Sequence, residues 1–169
     1  METFVYKNFI VPLQGKYTFD FVSEHYQKGD RVLDFGCGIG SNSKLFDAED
    51  YIGVEVDTSR VESARIKYPA SQFEKIPFIS SRDDKIPFED DSFDIIFISL
   101  CLHHIDSSTC KLLFKEFKRV LNQGGKIIGI EPCILPNNYF SNVFMNVVDA
   151  GDYILPIEEY KKMYSSESF

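Results

Sequence analysis

The feature that most constrains the fold of this 169-residue chain is its alternation of short apolar runs with amphipathic segments. The apolar runs are RVLDF (31–35), YIGVEVD (51–57), SQFEKI (71–76), SFDIIFISL (92–100) and KIIGIE (126–131). The run SFDIIFISL is nearly continuous, as in a strand that is covered on both faces. The segment SNSKLFD (41–47) would start a helix that Ser41 or Asn42 can cap. The segment SSTCKLLFKEFKRVLN (107–122) carries apolar residues at helical spacing. Strands separated by helices predict an open, mostly parallel Rossmann-like α/β sheet with helices on both faces.

The composition favours one globular domain that covers residues 1–169. Hydrophobic residues make up 44% of the chain and aromatic residues 15%, which argues against disorder. No apolar stretch reaches the roughly 18 residues of a membrane span. The formal net charge of −8 gives no support for a nucleic-acid surface. We therefore expect a domain that binds neither membranes nor nucleic acid.

The cysteines and the N-terminus indicate the compartment. The four cysteines are scattered without a C-x-x-C pair, at Cys37, Cys101, Cys110 and Cys133. This spacing favours reduced thiols over a zinc site or a disulfide framework. The N-terminal sequence METFVYKNFI lacks the pattern of a secretory signal. We expect a cytoplasmic protein with no bound metal.

A glycine turn, GCGIG at residues 36–40, directly follows the first apolar run. Glycine lacks Cβ, so a ligand can approach the backbone closely, and the N–H groups that follow favour a negative group. The spacing differs from the G-x-G-x-x-G of dinucleotide sites because Ser41 occupies the place of the third glycine. Asp34 would repel a pyrophosphate but attract an ammonium or a sulfonium. The turn therefore predicts a ligand with a carboxylate close to a cation, such as the methionine part of S-adenosylmethionine.

The end of the second apolar run supplies a second candidate binding element. Glu55 can accept hydrogen bonds from both hydroxyls of a ribose, and Val56 can lie against an adenine face. The same arrangement would serve NAD, so an NAD-linked oxidoreductase is a weaker alternative. The G-x-G-x-G spacing of the turn disfavours that alternative.

Four motifs follow one another from about residue 17 to residue 131: VLDFGCGIG, GVEVD, IPFEDDSFDIIFISLCLHHI and RVLNQGGKIIGIEP. In this order they resemble the class I S-adenosylmethionine-dependent methyltransferases, in particular the small-molecule branch with the ubiquinone-biosynthesis type of motif. The resemblance implies a seven-stranded sheet with the methyl donor bound across the ends of strands one, two and four. It also implies methyl transfer to a small-molecule acceptor.

The resemblance assigns roles to individual residues. Asp34 would hold the amino group of the donor directly or through water, and Glu55 would hold its ribose. The backbone near Ser99 and Leu100 would line the methionine. The full set of predicted donor-binding residues is Asp34, Gly36, Cys37, Gly38, Gly40, Glu55, Val56, Asp83, Ser99 and Leu100.

The chain departs from the family pattern in two places. In the family, an acid at one position of this motif contacts the amino group of the adenine. That position is Arg82 in this chain, so the neighbouring Asp83 is assigned the role. No run after Glu131 resembles a further strand, which motivates an alternative function: an incomplete, non-catalytic donor-binding domain that acts as a partner subunit. The edge of KIIGIE would then be covered by a helix at 138–150 or paired with a second copy in a homodimer.

His103 and His104 follow the fourth apolar run and are the candidate catalytic residues. An imidazole can take a proton near neutral pH, which helps only if the acceptor must lose one. The competing interpretation is a packed or helix-capping pair with a structural role. A metal site is disfavoured because adjacent histidines in an extended segment point apart and no third ligand is evident.

Overall fold

A computed structural model describes residues 11–134, 136 and 153–164. Its strands are β1 (Val32–Phe35), β2 (Tyr51–Glu55), β3 (Gln72–Lys75), β4 (Phe93–Ser99) and β5 (Leu121–Ile130). Its α-helices are α1 (Val11–His25), α2 (Thr58–Lys67), α3 (Ser107–Val120) and α4 (Ile157–Tyr164). The strands pair in the order β3-β2-β1-β4-β5, and every pair is parallel. The predicted open, parallel α/β sheet is confirmed.

The sheet separates two hydrophobic layers because successive side chains of a strand point to opposite faces. On one face Leu33 and Ile96 pack with Phe117 of α3. On the other face Val32 and Phe97 pack with residues of α1 and α2. Ile95, Ile96, Phe97 and Ile98 of β4 are fully buried. This central strand therefore has a near-continuous apolar sequence because both of its faces are covered.

The register of the sheet brings three strand ends to one level. Phe35, the last residue of β1, lies opposite Val54 of β2 and Ile98 of β4. The glycine turn that follows β1 therefore lies between the residues that end β2 and β4. The strand order also places β2 and β3 on one side of β1 and β4 on the other.

The helix predicted for residues 41–47 is shortened to a 3-10 helix, Ser41–Leu45. Gly40, at φ 78°, stands at its N-terminus and no side chain caps it, although Ser41 or Asn42 could have done so. The ring of Phe46 packs against Tyr51 and Phe97 at centroid distances of 5.7 and 5.5 Å. Burial of this ring takes the chain into the core and ends the helix after little more than one turn.

The boundary between α3 and β5 also differs from the prediction. The helix ends at Val120 and the strand begins at once with Leu121, so β5 is longer than KIIGIE. Leu121 pairs with Phe93 and Lys126 pairs with Ile95, so the register of the β4–β5 pair shifts between Phe93 and Ile95. The N-terminus of α3 is capped by Asp106, whose side chain accepts bonds from the N–H groups of Ser108 and Thr109.

In the described part of the chain, no further strand lies beside β5. Tyr164 of α4 packs over Gly129, since a Cβ at that glycine would lie 2.3 Å from the tyrosine hydroxyl. The helix predicted at 138–150 lies outside the described residues. Among those residues, none of the helices has the length and apolarity needed to cross a bilayer, and no cluster of potential metal ligands is found.

Gly40→Ala should destabilise the protein more than Gly38→Ala. Gly40 and Gly38 have positive φ values of 78° and 55°. An alanine at either position would be strained by about 1 kcal/mol. A Cβ at Gly40 would lie 2.7 Å from the ring of Phe73, whereas nothing lies within 4 Å of one at Gly38. Urea unfolding should give losses of about 2–4 kcal/mol for Gly40→Ala and about 1 kcal/mol for Gly38→Ala. Equal losses would mean that Phe73 moves aside freely.

Candidate functional site

A cavity of 340 Å³ opens where the sheet presents the carboxyl ends of its strands. Its walls come from the glycine turn, the end of β2, the loop after β3 and the segment between β4 and α3. The lining residues that matter for its chemistry are Gly36, Glu55, Val56, Phe78, Leu100 and His104. Ligands of open α/β sheets bind at this edge, so the cavity is the candidate site.

The glycine turn forms part of the cavity wall with its backbone. The N–H groups of Gly36 and Cys37 donate to the carbonyl oxygen of Val54 at 2.9 and 3.0 Å, which ties the turn to β2. A Cβ on Gly36 would lie 2.3 Å from the Sγ atom of Cys101. Because no side chain fits between the turn and the segment after β4, residue 36 must be glycine.

Glu55 joins the glycine turn to the loop that follows β2. The residue is only 6% exposed. Oε1 accepts hydrogen bonds from the N–H groups of Val56 (2.7 Å) and Asp57 (3.2 Å), and Oε2 accepts one from Gly38 (3.2 Å). The guanidinium of Arg60 lies 3.7 Å from Oε2. Since a carboxylate oxygen has two lone pairs, Oε2 can accept a further bond from a ligand hydroxyl.

Asp34 lies beneath the turn, not on the cavity wall, and is 1% exposed. Its Oδ2 accepts a hydrogen bond of 2.6 Å from the hydroxyl of Tyr51. Its Oδ1 is buried and has no hydrogen-bond partner among the described residues. Burial, and then the nearby charge of Glu55, raise the pKa of Asp34 to about 7, although the Tyr51 hydrogen bond lowers it.

Large apolar side chains stand exposed around the same cavity. Val56 and Phe78 are 42% and 60% exposed and follow β2 and β3, on one side of β1. Leu100 is 39% exposed and follows β4, on the other side. A flat apolar ligand would bury these surfaces, and removing them from water would contribute favourably to the free energy of binding.

The two adjacent histidines have different surroundings. His104 is exposed and lines the cavity. His103 is buried, and its Nδ1 lies 2.7 Å from Oε2 of Glu131. A 3-10 turn, Leu102–His104, gives the two side chains different directions, although their ring centroids are only 4.0 Å apart. Of the two predicted catalytic residues, His104 therefore reaches the cavity, whereas His103 contacts Glu131 and does not line it.

Asp83 lies on an exposed turn and is not among the residues that line the cavity. The acid that orders this turn is Asp84, whose Oδ2 accepts bonds of 2.8 Å from the N–H groups of Ser80 and Ser81. The tetrapeptide KIPF occurs at both 75–78 and 85–88. Arg82 and Asp83 precede the second copy, whereas the first copy lies at the cavity. The geometry therefore does not support an adenine contact by Asp83.

The remaining predicted residues support the site from behind or beside it. Cys37 and Gly40 are buried, and burial raises the pKa of the Cys37 thiol well above its usual value. Gly38 contributes the N–H that Glu55 binds. Ser99 ends β4 next to Leu100 but does not line the cavity.

Sequence reasoning missed four residues that the structure brings to the site, namely Tyr51, Arg60, Phe78 and Glu131. Tyr51 gave no signal, because its contact with Asp34 depends on the pairing of β1 with β2. Glu131 did give a signal in the sequence, because it directly follows β5 much as Glu55 ends β2. Phe78 was signalled by the first copy of KIPF.

Comparison with known proteins identifies the family. Residues 33–129 match the family model described as a methyltransferase domain. The chain belongs to this family, the class I S-adenosylmethionine-dependent methyltransferases, as its motifs predicted. S-adenosylmethionine is accordingly the cofactor of the domain.

Individual relatives are similar to only part of this chain. It is 33% identical over 99 residues to malonyl-[acyl-carrier protein] O-methyltransferase of Legionella pneumophila, covering 56% of this chain and 34% of that protein. It is 30% identical over 103 residues to 27-O-demethylrifamycin SV methyltransferase of Amycolatopsis mediterranei, covering 59% and 37%. The YcgJ protein of Bacillus subtilis has a similar fold, with a TM-score of 0.67 at 22% identity, over 88% of this chain and 66% of that one. The chain spans between a third and a half of the length of the curated relatives first matched.

Asp34 should make stability depend on pH in an unusual direction. Its pKa of about 7 in the folded protein lies above the ordinary value of 3.8. Between these values the folded protein holds a proton that the unfolded chain has lost, so stability falls as the pH rises. The loss contributed by this group should reach about 4 kcal/mol by pH 7 and then level off.

The difference in unfolding free energy between the wild type and Asp34→Asn isolates this contribution. The advantage of the wild type should be greatest at pH 4 and should shrink toward pH 7, because asparagine cannot ionise. Urea unfolding at several pH values measures it. A difference that is independent of pH would show that the Asp34 pKa is not raised.

Proposed function

We propose that this protein transfers a methyl group from S-adenosylmethionine to a small-molecule acceptor. The observation that carries the proposal is the cavity between the ends of β1, β2 and β4, where a glycine turn meets the buried carboxylate of Glu55. The rifamycin relative, which is named for a small acceptor, supports the acceptor class. The net charge of −8 supports it as well, because a nucleic-acid acceptor would favour a basic surface.

The residues of the cavity fit the donor. Oε2 of Glu55 can accept a bond from a ribose hydroxyl, and Val56 and Phe78 offer apolar surface to the adenine. Asp34 lies beneath the turn, so we assign its buried Oδ1 a bond to the ammonium group through water. We assign the methionine half to the Leu100 side of β1. Gly36 brings its backbone to the cavity wall, and the Sγ atom of Cys101 occupies the place that a side chain at residue 36 would need.

When bound, the donor supplies a methyl group that is attached to a cationic sulfur, and the acceptor displaces the sulfur in line with the bond that breaks. The protein must then hold the acceptor atom about 3 Å from that methyl group and exclude water. His104 lines the cavity and is the proposed base for an acceptor that loses a proton. The exposed apolar surfaces of Phe78 and Leu100 would exclude water once they are covered.

Three further expectations belong to this proposal. The four cysteines are free thiols in the structure, which supports a cytoplasmic location. A homodimer through the outer edge of β5 is supported by the lack of a further strand beside it in the described residues. Light scattering distinguishes this dimer from a monomer. The single-domain organisation of residues 1–169 stays a prediction.

Turnover of labelled S-adenosylmethionine with a metabolite extract tests the function. We expect transfer of label to a small acceptor by the wild type, and calorimetric binding of S-adenosylhomocysteine but not of NAD. Glu55→Gln should weaken that binding by about 2 kcal/mol, because a charge-assisted hydrogen bond to the ribose is lost. Glu62→Gln, on the exposed surface of α2, is the matched control and should bind normally.

Two results would overturn parts of this proposal. Equal affinity for NAD and S-adenosylhomocysteine would contradict the donor assignment. Binding of the donor without turnover of any extract fraction would favour the alternative of a non-catalytic partner subunit.

His104→Ala should separate catalysis from binding. If His104 is the base, turnover should fall by about 100-fold or more while the affinity for S-adenosylhomocysteine stays nearly constant. His25→Ala on α1 is the control, because His25 does not line the cavity. Unchanged turnover in His104→Ala would show that the acceptor needs no base from this residue.

A further inference from the structure

The segment Leu100–His104 forms the wall of the cavity on the β4 side. Leu100 has φ 53°, a left-handed conformation that residues other than glycine rarely adopt. Cys101 lies against Gly36, and His104 reaches the cavity. Because a strained residue persists only when its surroundings hold it, this wall must be supported from outside.

The support comes from Glu131, which directly follows β5. Its Oε1 accepts hydrogen bonds of 2.8 Å from the N–H groups of both Cys101 and Leu102. Its Oε2 lies 2.7 Å from Nδ1 of His103. One carboxylate thus holds three consecutive residues of the wall, and its two oxygens have separate tasks.

Two main-chain bonds tie the same segment to its neighbours. The N–H of Leu100 donates to the carbonyl oxygen of Ile130 at 2.9 Å, and the N–H of Tyr153 donates to that of His103 at 3.0 Å. The side chains of His103 and Glu131 are only 3% and 5% exposed. A carboxylate so far from water needs all of its partners, so loss of one should turn it away from the others.

We propose that Glu131 and His103 are positioning residues that fix the Leu100–His104 wall against the methionine half of the donor and direct His104 into the cavity. His103 holds Oε2 and thereby aims Oε1 at the two N–H groups. These bonds close the 3-10 turn, Leu102–His104, which places the neighbouring His104 on the cavity side. The proposal rests on the proposed function, because it concerns the binding of that donor.

The pair should act on one half of the ligand only. The contacts proposed for adenosine lie on the far side of β1 from the wall, because Glu55 ends β2, Val56 follows it and Phe78 follows β3. A residue that merely stabilises the fold would weaken adenosine and S-adenosylhomocysteine together or weaken neither. A residue that positions the wall would weaken S-adenosylhomocysteine alone.

Calorimetry with S-adenosylhomocysteine and with adenosine tests the proposal. For His103→Ala we expect the affinity for S-adenosylhomocysteine to fall by about tenfold or more, and the affinity for adenosine to change by less than about twofold. His103→Asn should recover most of the loss, because the asparagine N–H can still donate to Glu131. His25→Ala, a histidine substitution away from the cavity, is the matched control.

A second substitution decides the question if His103→Ala lacks a cooperative thermal transition. Glu131→Gln keeps the shape and one oxygen acceptor but removes the charge, so the affinity for S-adenosylhomocysteine should fall by about threefold or more, with that for adenosine unchanged. No change in Glu131→Gln, or parallel losses for both ligands, would overturn the positioning role while leaving the donor site intact. Failure of the wild type to bind either ligand would instead overturn the proposed function and this proposal with it.

Discussion

Carboxylates at the carboxyl edge of the parallel sheet hold the loops of the cavity together. A parallel sheet brings its strand ends to one edge, where the N–H groups of the loops have no neighbouring strand to pair with. Glu55 and Glu131, at the ends of β2 and β5, accept five backbone hydrogen bonds from these loops. Asp57 and Asp106 cap the helices that follow. The shape of the cavity depends on these four acids.

Asp34 and Glu55 determine the electrostatics at this edge of the sheet. Burial disfavours the charge of Asp34, and the nearby charge of Glu55 adds to this cost. A cationic group near these two acids would relieve this cost, which gives a physical reason why the site suits a sulfonium and an ammonium. Glu55 combines two tasks, because one of its oxygens binds the loop after β2 and the other binds the glycine turn.

Adjacent residues of identical type show where sequence reasoning stops. His103 and His104 cannot be distinguished by composition or spacing, yet one is buried against Glu131 and the other lines the cavity. The decision depends on a carboxylate 28 residues further along the chain. The two copies of KIPF raise the same difficulty, because the sequence does not distinguish them. In the structure the copy at the end of β3 borders the cavity.

The sequence by itself determined the parallel α/β sheet, the glycine turn and the place of Glu55, because strand runs, glycine spacing and strand ends are local patterns. It misjudged the segment after the turn and the start of β5, where the burial of Phe46 and the pairing of Leu121 with Phe93 override local preference. Only the tertiary structure decided the partners of Asp34 and His103. Those contacts join residues that are distant in the chain, and they arise from strand pairing and burial, which leave no periodic trace in the sequence.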